Sequence, residues 1–263
     1  MEWSPHPTSP MRLESRFGDR VVLAFANRPT SIWSMVAEAS DRNPDGEALV
    51  CGGRRMSWRE VATASAQIAG GLHRLGLLPG DRVALLLGNR IEFVLSVFAA
   101  AKLGLVTVLL STRQQTPEIA YVLRDCGAKL LIHEAGLAHR LPDIGDLPDL
   151  IHRIAVDDAA ELSRFAALAD GPPWQESAEV GEQDTAMILY TSGTTGRPKG
   201  AMLAHCNIVH SAMVYQTCMQ LTQADRSIAA VPLGHVTGIV ANIMAMAACA
   251  GAHHPQRDGA CDV

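Results

Sequence analysis

Apolar positions along the chain switch repeatedly between a helical and a strand-like period. From Thr30 to Arg42 they recur at helical spacing, and Asn43-Pro44 ends the run, because a residue before proline is pushed out of the helical region. Glu47 to Cys51 is a short strand. Ser57-Trp58-Arg59-Glu60 is a capping box, in which the Ser oxygen accepts the third amide proton while Glu reaches back. It opens a helix with Val61, Ala64, Ile68, Leu72 and Leu75 on one face, closed at Gly76.

The unit then repeats. "PGDRVALLLG" is a turn and an apolar strand, and Ile91, Val94, Leu95 and Phe98 form a helical stripe that stops at Gly104. "LVTVLL" is a β-branched strand. Thr116-Pro117-Glu118 supplies a cap, a first-turn proline and a first-turn acid to a helix that buries Ile119, Val122, Leu123 and Cys126 and ends at Gly127. "AKLLI" is the next strand. Helices alternating with fully apolar strands predict an α/β fold of mostly parallel sheets covered by helices.

Periodicity fades between Asp157 and Asp184, where "DGPPWQESAEVGEQD" reads as a linker. Charge changes there too: forty charged side chains precede residue 181 and nine follow. The expected division is an N-terminal α/β subdomain over 1–180 and the start of a second, more buried one over 181–263.

Composition narrows the function classes. The 263 residues are 48% hydrophobic and 19% charged, with net charge −5, which describes a globular chain without the basic footprint of a nucleic-acid or anionic-membrane binder. Six cysteines show no C-x-x-C pair and fit a reducing compartment. The N-terminus has no apolar core of the kind a secretory signal needs, so a cytoplasmic location is expected. The uncharged stretch Ser227 to Gln256 contains Pro232, Gly234, Gly238 and two adjacent His, and reads as a buried strand plus helix rather than a transmembrane segment.

The chemistry is concentrated after the buried strand "AMILY", in Thr191-Ser192-Gly193-Thr194-Thr195-Gly196-Arg197-Pro198-Lys199-Gly200. Glycines let a backbone turn with positive φ and approach a ligand, and successive amides form an anion-binding nest. Hydroxyls donate to phosphate oxygens, while Arg197 and Lys199 offset charge through bonds worth about 1.5–3 kcal/mol each. The spacing is not Walker A: Pro198 separates Gly196 from Lys199, and Met202-Leu203 predict an extended return rather than a helix. No G-x-S-x-G surrounds Ser192.

"YTSGTTGRPKG" resembles the phosphate loop of the AMP-forming adenylating enzymes: acyl- and aryl-CoA synthetases, luciferases and peptide-synthetase adenylation domains. The stretch from "MSWREV" to "CGAKLLI" is similar to the family's N-terminal region, and "VPLGHVTGIV" to its next motif. Within the superfamily, "STRQQTPEIAYVLRDCGAKLLI" is nearer the acyl-CoA synthetases. The resemblance implies the N-terminal portion of the adenylate-forming fold and a two-step ligase: a carboxylate, fatty or aryl, attacks Mg-ATP, and the acyl-adenylate passes to coenzyme A. It assigns Thr191, Ser192, Gly193, Thr194, Thr195, Gly196 and Lys199 to the ATP phosphates, Thr191 to the neighbourhood of Mg2+, and His235 to a wall between nucleotide and acyl sites. Lys199 and His235 are the catalytic candidates. The family commonly has an aromatic residue where this chain has Gly234, which bears on packing against the acyl group.

Other clusters carry less. His205, Cys206, His210 and Cys218 read as ordinary residues of one helix rather than a zinc site, since His205 and His210 are not at i, i+4 spacing. Asp143, Asp146 and Asp149 read as a solvated face. After Gly251-Ala252 the sequence HHPQRDGACDV is polar and shows no strand alternation. Together with the family's later motifs, which are not found, this gives the expectation of a truncated chain with little turnover alone. The alternatives are a non-catalytic ATP-binding remnant, one half of an enzyme whose C-terminal half is encoded separately, or an adenylation domain that loads a carrier protein.

Overall fold

The computed structural model describes residues 10–157, 162–191 and 197–255. The chain opens with an antiparallel hairpin, β1 (Met11–Arg16) and β2 (Arg20–Phe25). Helix α1 (Ile32–Arg42) is capped by Ser31, which accepts from the Ser34 amide, and buries Ile32, Met35, Val36 and Ala39 at helical spacing. A second hairpin, β3 (Glu47–Cys51) and β4 (Arg54–Ser57), leads into α2 (Trp58–Arg74). The predicted capping box is formed: Ser57 Oγ accepts from the Glu60 amide at 3.2 Å, and Glu60 Oε2 accepts from the Ser57 amide at 2.7 Å.

The repeated units follow as β5 (Arg82–Leu86), α3 (Ile91–Leu103), β6 (Val106–Leu109), α4 (Thr116–Cys126), β7 (Ala128–Glu134) and β8 (His152–Val156). Helices α3 and α4 end on the left-handed glycines Gly104 and Gly127, as predicted. The cap of α4 is one residue earlier than expected: Gln115 occupies it, and Glu118 reaches back to the Gln115 amide. After α5 (Leu162–Leu168) come β9 (Thr185–Thr191), β10 (Lys199–Ala204), α6 (His205–Met219) and β11 (Arg226–Ala229). A π-helical stretch, Thr237–Met244, runs into α7 (Ala245–Cys249) and β12 (Ala252–Pro255).

The larger sheet has the order β10-β9-β6-β5-β7-β8; all neighbours are parallel except the edge strand β10. Alternate residues of β5 face opposite ways. Val83 and Leu85 join the main core, whereas Ala84 and Leu86 join a second core with Ile119, Val122 and Leu123 of α4. Burial on both faces explains why these strands read as continuous apolar runs. The smaller sheet has the order β11-β12-β3-β4. Both sheets draw strands from either side of residue 180.

One expectation differs from the structure. The first residues after Gly251, Ala252–Pro255, form a strand: β12 lies parallel between β11 and β3, with His253 opposite Leu49. Its place comes from backbone ladders on both sides, which need no alternation of side chains. The 170–184 linker packs against the helices. The Trp174 amide donates to Ala66 O at 2.9 Å, its ring lies 4.2 Å from that of His73, and the Ala178 amide donates to Lys102 O at 3.0 Å. Among the described residues no helix is long and apolar enough to cross a membrane.

Candidate active site

Strand β9 leaves the sheet at Thr191 and the chain returns as β10 at Lys199, directly opposite Thr191 in the antiparallel register. The return is extended, as Met202-Leu203 predicted. The loop from 192 to 198 is therefore closed at its base by a paired residue on each side. Thr191 and Lys199 are both exposed. Ser192, Gly193, Thr194, Thr195 and Gly196 lie outside the described residues.

Helix α4 braces this hairpin. Tyr121 Oη donates to Pro198 O at 3.1 Å, and Tyr190 Oη donates to Asp125 Oδ2 at 2.5 Å. The two rings meet edge to face, 6.4 Å between centroids. Burial and the bond to Asp125 push the Tyr190 phenol above its ordinary range, so it remains a donor at neutral pH. The far end of the hairpin is tied as well. The first amides of α6, His205 and Cys206, donate to Asp184 O at 3.1 Å and Glu182 O at 2.8 Å. The His205 ring is buried, and its Nδ1 accepts from the Ile32 amide of α1 at 3.3 Å.

His235 is exposed on the turn after β11. Its amide donates to Pro232 O at 3.1 Å, and its carbonyl accepts from Ile239 at 3.1 Å. The turn doubles back tightly: a Cβ on Gly238 would fall 2.3 Å from Pro232 O. Asn89, buried just beyond β5, fixes the turn in space. Its Nδ2 donates to Ala229 O and Val231 O, each at 3.0 Å, and its Oδ1 accepts from the Leu233 amide at 2.8 Å. Gly234 rests on the end of β6, where an added Cβ would lie 3.1 Å from Leu110 O. The His235 turn and the Thr191–Lys199 hairpin thus share the carboxyl edge of the larger sheet.

At that edge the chain passes from β5 to β6 on one side and then crosses to β7 on the other. Ligand crevices of open α/β sheets lie at such a switch point. A polar cleft of about 380 Å3 lies there, lined by Asn89, Arg90, Thr112, Glu134 and Arg140 among others. Burial opposes the Arg90 charge, but bonds to Asp157 and Glu92 outweigh it and raise its pKa.

Neither Asn89 nor the tyrosine braces are recognisable from residue type. Asn89 reads as an ordinary turn residue and Tyr190 as an ordinary strand residue, because their partners are distant in sequence. His205 is engaged with α1, and Asp143, Asp146 and Asp149 are exposed. Among the described residues no three His, Cys, Asp or Glu side chains converge to hold a metal. Thr191 offers one neutral hydroxyl, which fits at most one ligand position of a Mg2+ carried by a triphosphate.

The AMP-binding enzyme family model matches residues 36–260, a span that holds the hairpin, the His235 turn and both sheets. The chain belongs to the AMP-binding enzyme family. A long-chain-fatty-acid–CoA ligase, FadD13 of Mycobacterium tuberculosis, is 36% identical over 70% of this chain and 37% of its own length. A feruloyl-CoA synthase of Amycolatopsis sp. is 34% identical over 75% of this chain and 38% of its own length. The chain therefore spans under half the length of these AMP-binding relatives. Among solved structures, the inhibitor-bound N-terminal domain of FACL13 from Mycobacterium tuberculosis superposes with a TM-score of 0.78 at 29% identity, covering 87% of this chain and 58% of that one. The anthranilate CoA ligase AuaEII in complex with anthranoyl-AMP gives 0.81 at 28% identity, over 87% of this chain and 45% of that one. The fold is that of the N-terminal portion of an adenylate-forming enzyme.

Proposed function

We propose that this chain supplies the ATP-phosphate site of an AMP-forming acid–thiol ligase. The observation that carries the reading is the direct pairing of Thr191 with Lys199 at the carboxyl edge of a parallel sheet. That pairing closes a loop whose sequence, Ser-Gly-Thr-Thr-Gly-Arg-Pro, is rich in hydroxyls and glycine. The hydroxyls of Thr191, Ser192, Thr194 and Thr195 donate to β- and γ-phosphate oxygens, Gly193 and Gly196 let the backbone amides approach, and Lys199 neutralises developing charge. In the first half-reaction a carboxylate oxygen bonds to the α-phosphorus of ATP and the bond to pyrophosphate breaks. In the second, a thiol sulfur bonds to the acyl carbon and AMP leaves. Positioning and electrostatics supply the rate, and the loop holds the departing pyrophosphate in line.

His235 acts as a side wall of the same crevice. Mg2+ would accompany the triphosphate, with the Thr191 hydroxyl as the group of this chain that would lie near it. The acid is a fatty or aryl carboxylic acid and the acceptor coenzyme A, in keeping with the relatives. Isothermal titration with ATP tests the reading on this chain itself. Wild type should bind ATP, and Lys199→Ala should bind about tenfold more weakly or worse, the value of one charge-assisted contact. Equal affinity in the two proteins would refute the assignment. Carboxylate-dependent pyrophosphate release then separates a complete ligase from a chain that only binds.

A further inference from the structure

The opposite, amino edge of the larger sheet holds a second groove, of about 670 Å3. It is bounded by the first turn of α1, the last turn of α3 and residues 177–181. Lys102, in the last turn of α3, is only 5% exposed. Its ammonium lies 4.4 Å from the centre of the Trp33 ring and donates one hydrogen bond, to Ser177 Oγ at 3.4 Å. Among the described residues no carboxylate lies within ion-pairing distance of it. The one acid on the groove lining, Glu179, is exposed at the rim.

A buried ammonium without a counter-charge is unfavourable, and burial alone pushes the Lys102 pKa below its ordinary value. A lysine that merely completes the C-terminal dipole of α3 has no need to be buried and can keep its head in water. Here the head lies against the Trp33 ring and Ser177, both of which line the groove. Thr30 and Ser177 border the same space; the Ser31 and Ser34 side chains beside them are bonded to each other in the α1 cap. A desolvated cation beside the Thr30 and Ser177 hydroxyls makes a setting for a small oxyanion.

We propose that this groove binds a phosphate or carboxylate group on Lys102, at a site separate from the Thr191–Lys199 loop. Trp33 beneath the ammonium provides the reporter. The full chain is titrated with sodium phosphate, and separately with sodium acetate, at ionic strength held constant with chloride. The indole 1H–15N resonance of Trp33, assigned with Trp33→Phe, is followed. Wild type should show a saturable shift. Saturation by both anions marks a general oxyanion site, and saturation by phosphate or acetate alone names the group it takes. Lys102→Arg should retain binding, Lys102→Met should weaken it about tenfold or more, and Lys199→Ala should leave it unchanged. No saturable shift in wild type would overturn the proposal whatever the variants do. So would equal shifts in wild type and Lys102→Met, or loss in Lys199→Ala. Failure of ATP binding at the loop would leave this result untouched, so the two readings fail separately.

Discussion

Gly200 sits directly across the hairpin from Tyr190, and a Cβ on Gly200 would lie 2.9 Å from Ile188 Cγ2 and 3.1 Å from Tyr190 Cζ. The absence of a side chain on β10 is what lets the Tyr190 ring lie over the strand while its hydroxyl reaches Asp125. Gly200→Ala should cost about 1–3 kcal/mol, the usual range for overpacking. It should also weaken ATP binding by tilting the loop base. Denaturant unfolding together with calorimetry checks this, and an unchanged midpoint would show that the ring has room to move.

Tyr121→Phe removes one hydrogen bond and little volume. Its bond to Pro198 O lies at the loop's end, outside the core. Stability should fall by about 0.5–1.5 kcal/mol. The telling readout is hydrogen exchange: amides at 197–200 should exchange faster, whereas those in β5 and β7 should not. Uniform acceleration across the sheet would mean that Tyr121 supports the fold at large.

Asn89→Ala leaves two carbonyls and one amide near the His235 turn without their partner. The cost should be about 2–4 kcal/mol, since each orphaned buried group forfeits its desolvation. Limited proteolysis should then cut between 229 and 236 before any other described turn. If cleavage begins elsewhere, the turn is held by something other than Asn89.

Burial lowers the pKa of His205, and its Nδ1 accepts a hydrogen bond that a protonated ring cannot accept. A group whose folded pKa is depressed gives its full stability above the unfolded value, about 6.5, and loses it as pH falls through the folded one. The chain should therefore be less stable at pH 5 than at pH 7.5, with His205→Gln flattening part of that slope. His210 is shifted in the same direction by burial and by Arg28, so His210→Gln should flatten a further part. Chemical denaturation at the two pH values decides it; parallel slopes in all three proteins would assign the acid sensitivity to other groups.

The parallel strands, the capping box at Ser57 and the glycine helix ends were legible because each depends on neighbours in sequence or on burial on both faces. The β1–β2 hairpin was not, because its pattern is inverted. Leu13 is 72% exposed while Arg16 is 8% exposed, held with Arg28 among Glu14 and Glu182. Ion pairing fixes that hairpin where alternation would have been expected to. The composition of the segment between β9 and β10 was legible; the tyrosines that brace this hairpin and the asparagine that fixes the His235 turn depend on contacts across the fold.

The approach to β12 is anchored by residues from early in the chain: Trp58 Nε1 donates to Gly251 O at 3.2 Å, Asn43 Nδ2 to Ala250 O at 3.0 Å, and Arg42 to Ala248 O at 2.8 Å. Since β12 is inserted between β11 and β3, the β3–β4 hairpin keeps one edge unpaired until roughly two hundred further residues have left the ribosome. Closing that sheet is a long-range event, so the waiting edge of β3 must stay shielded until β12 has been made.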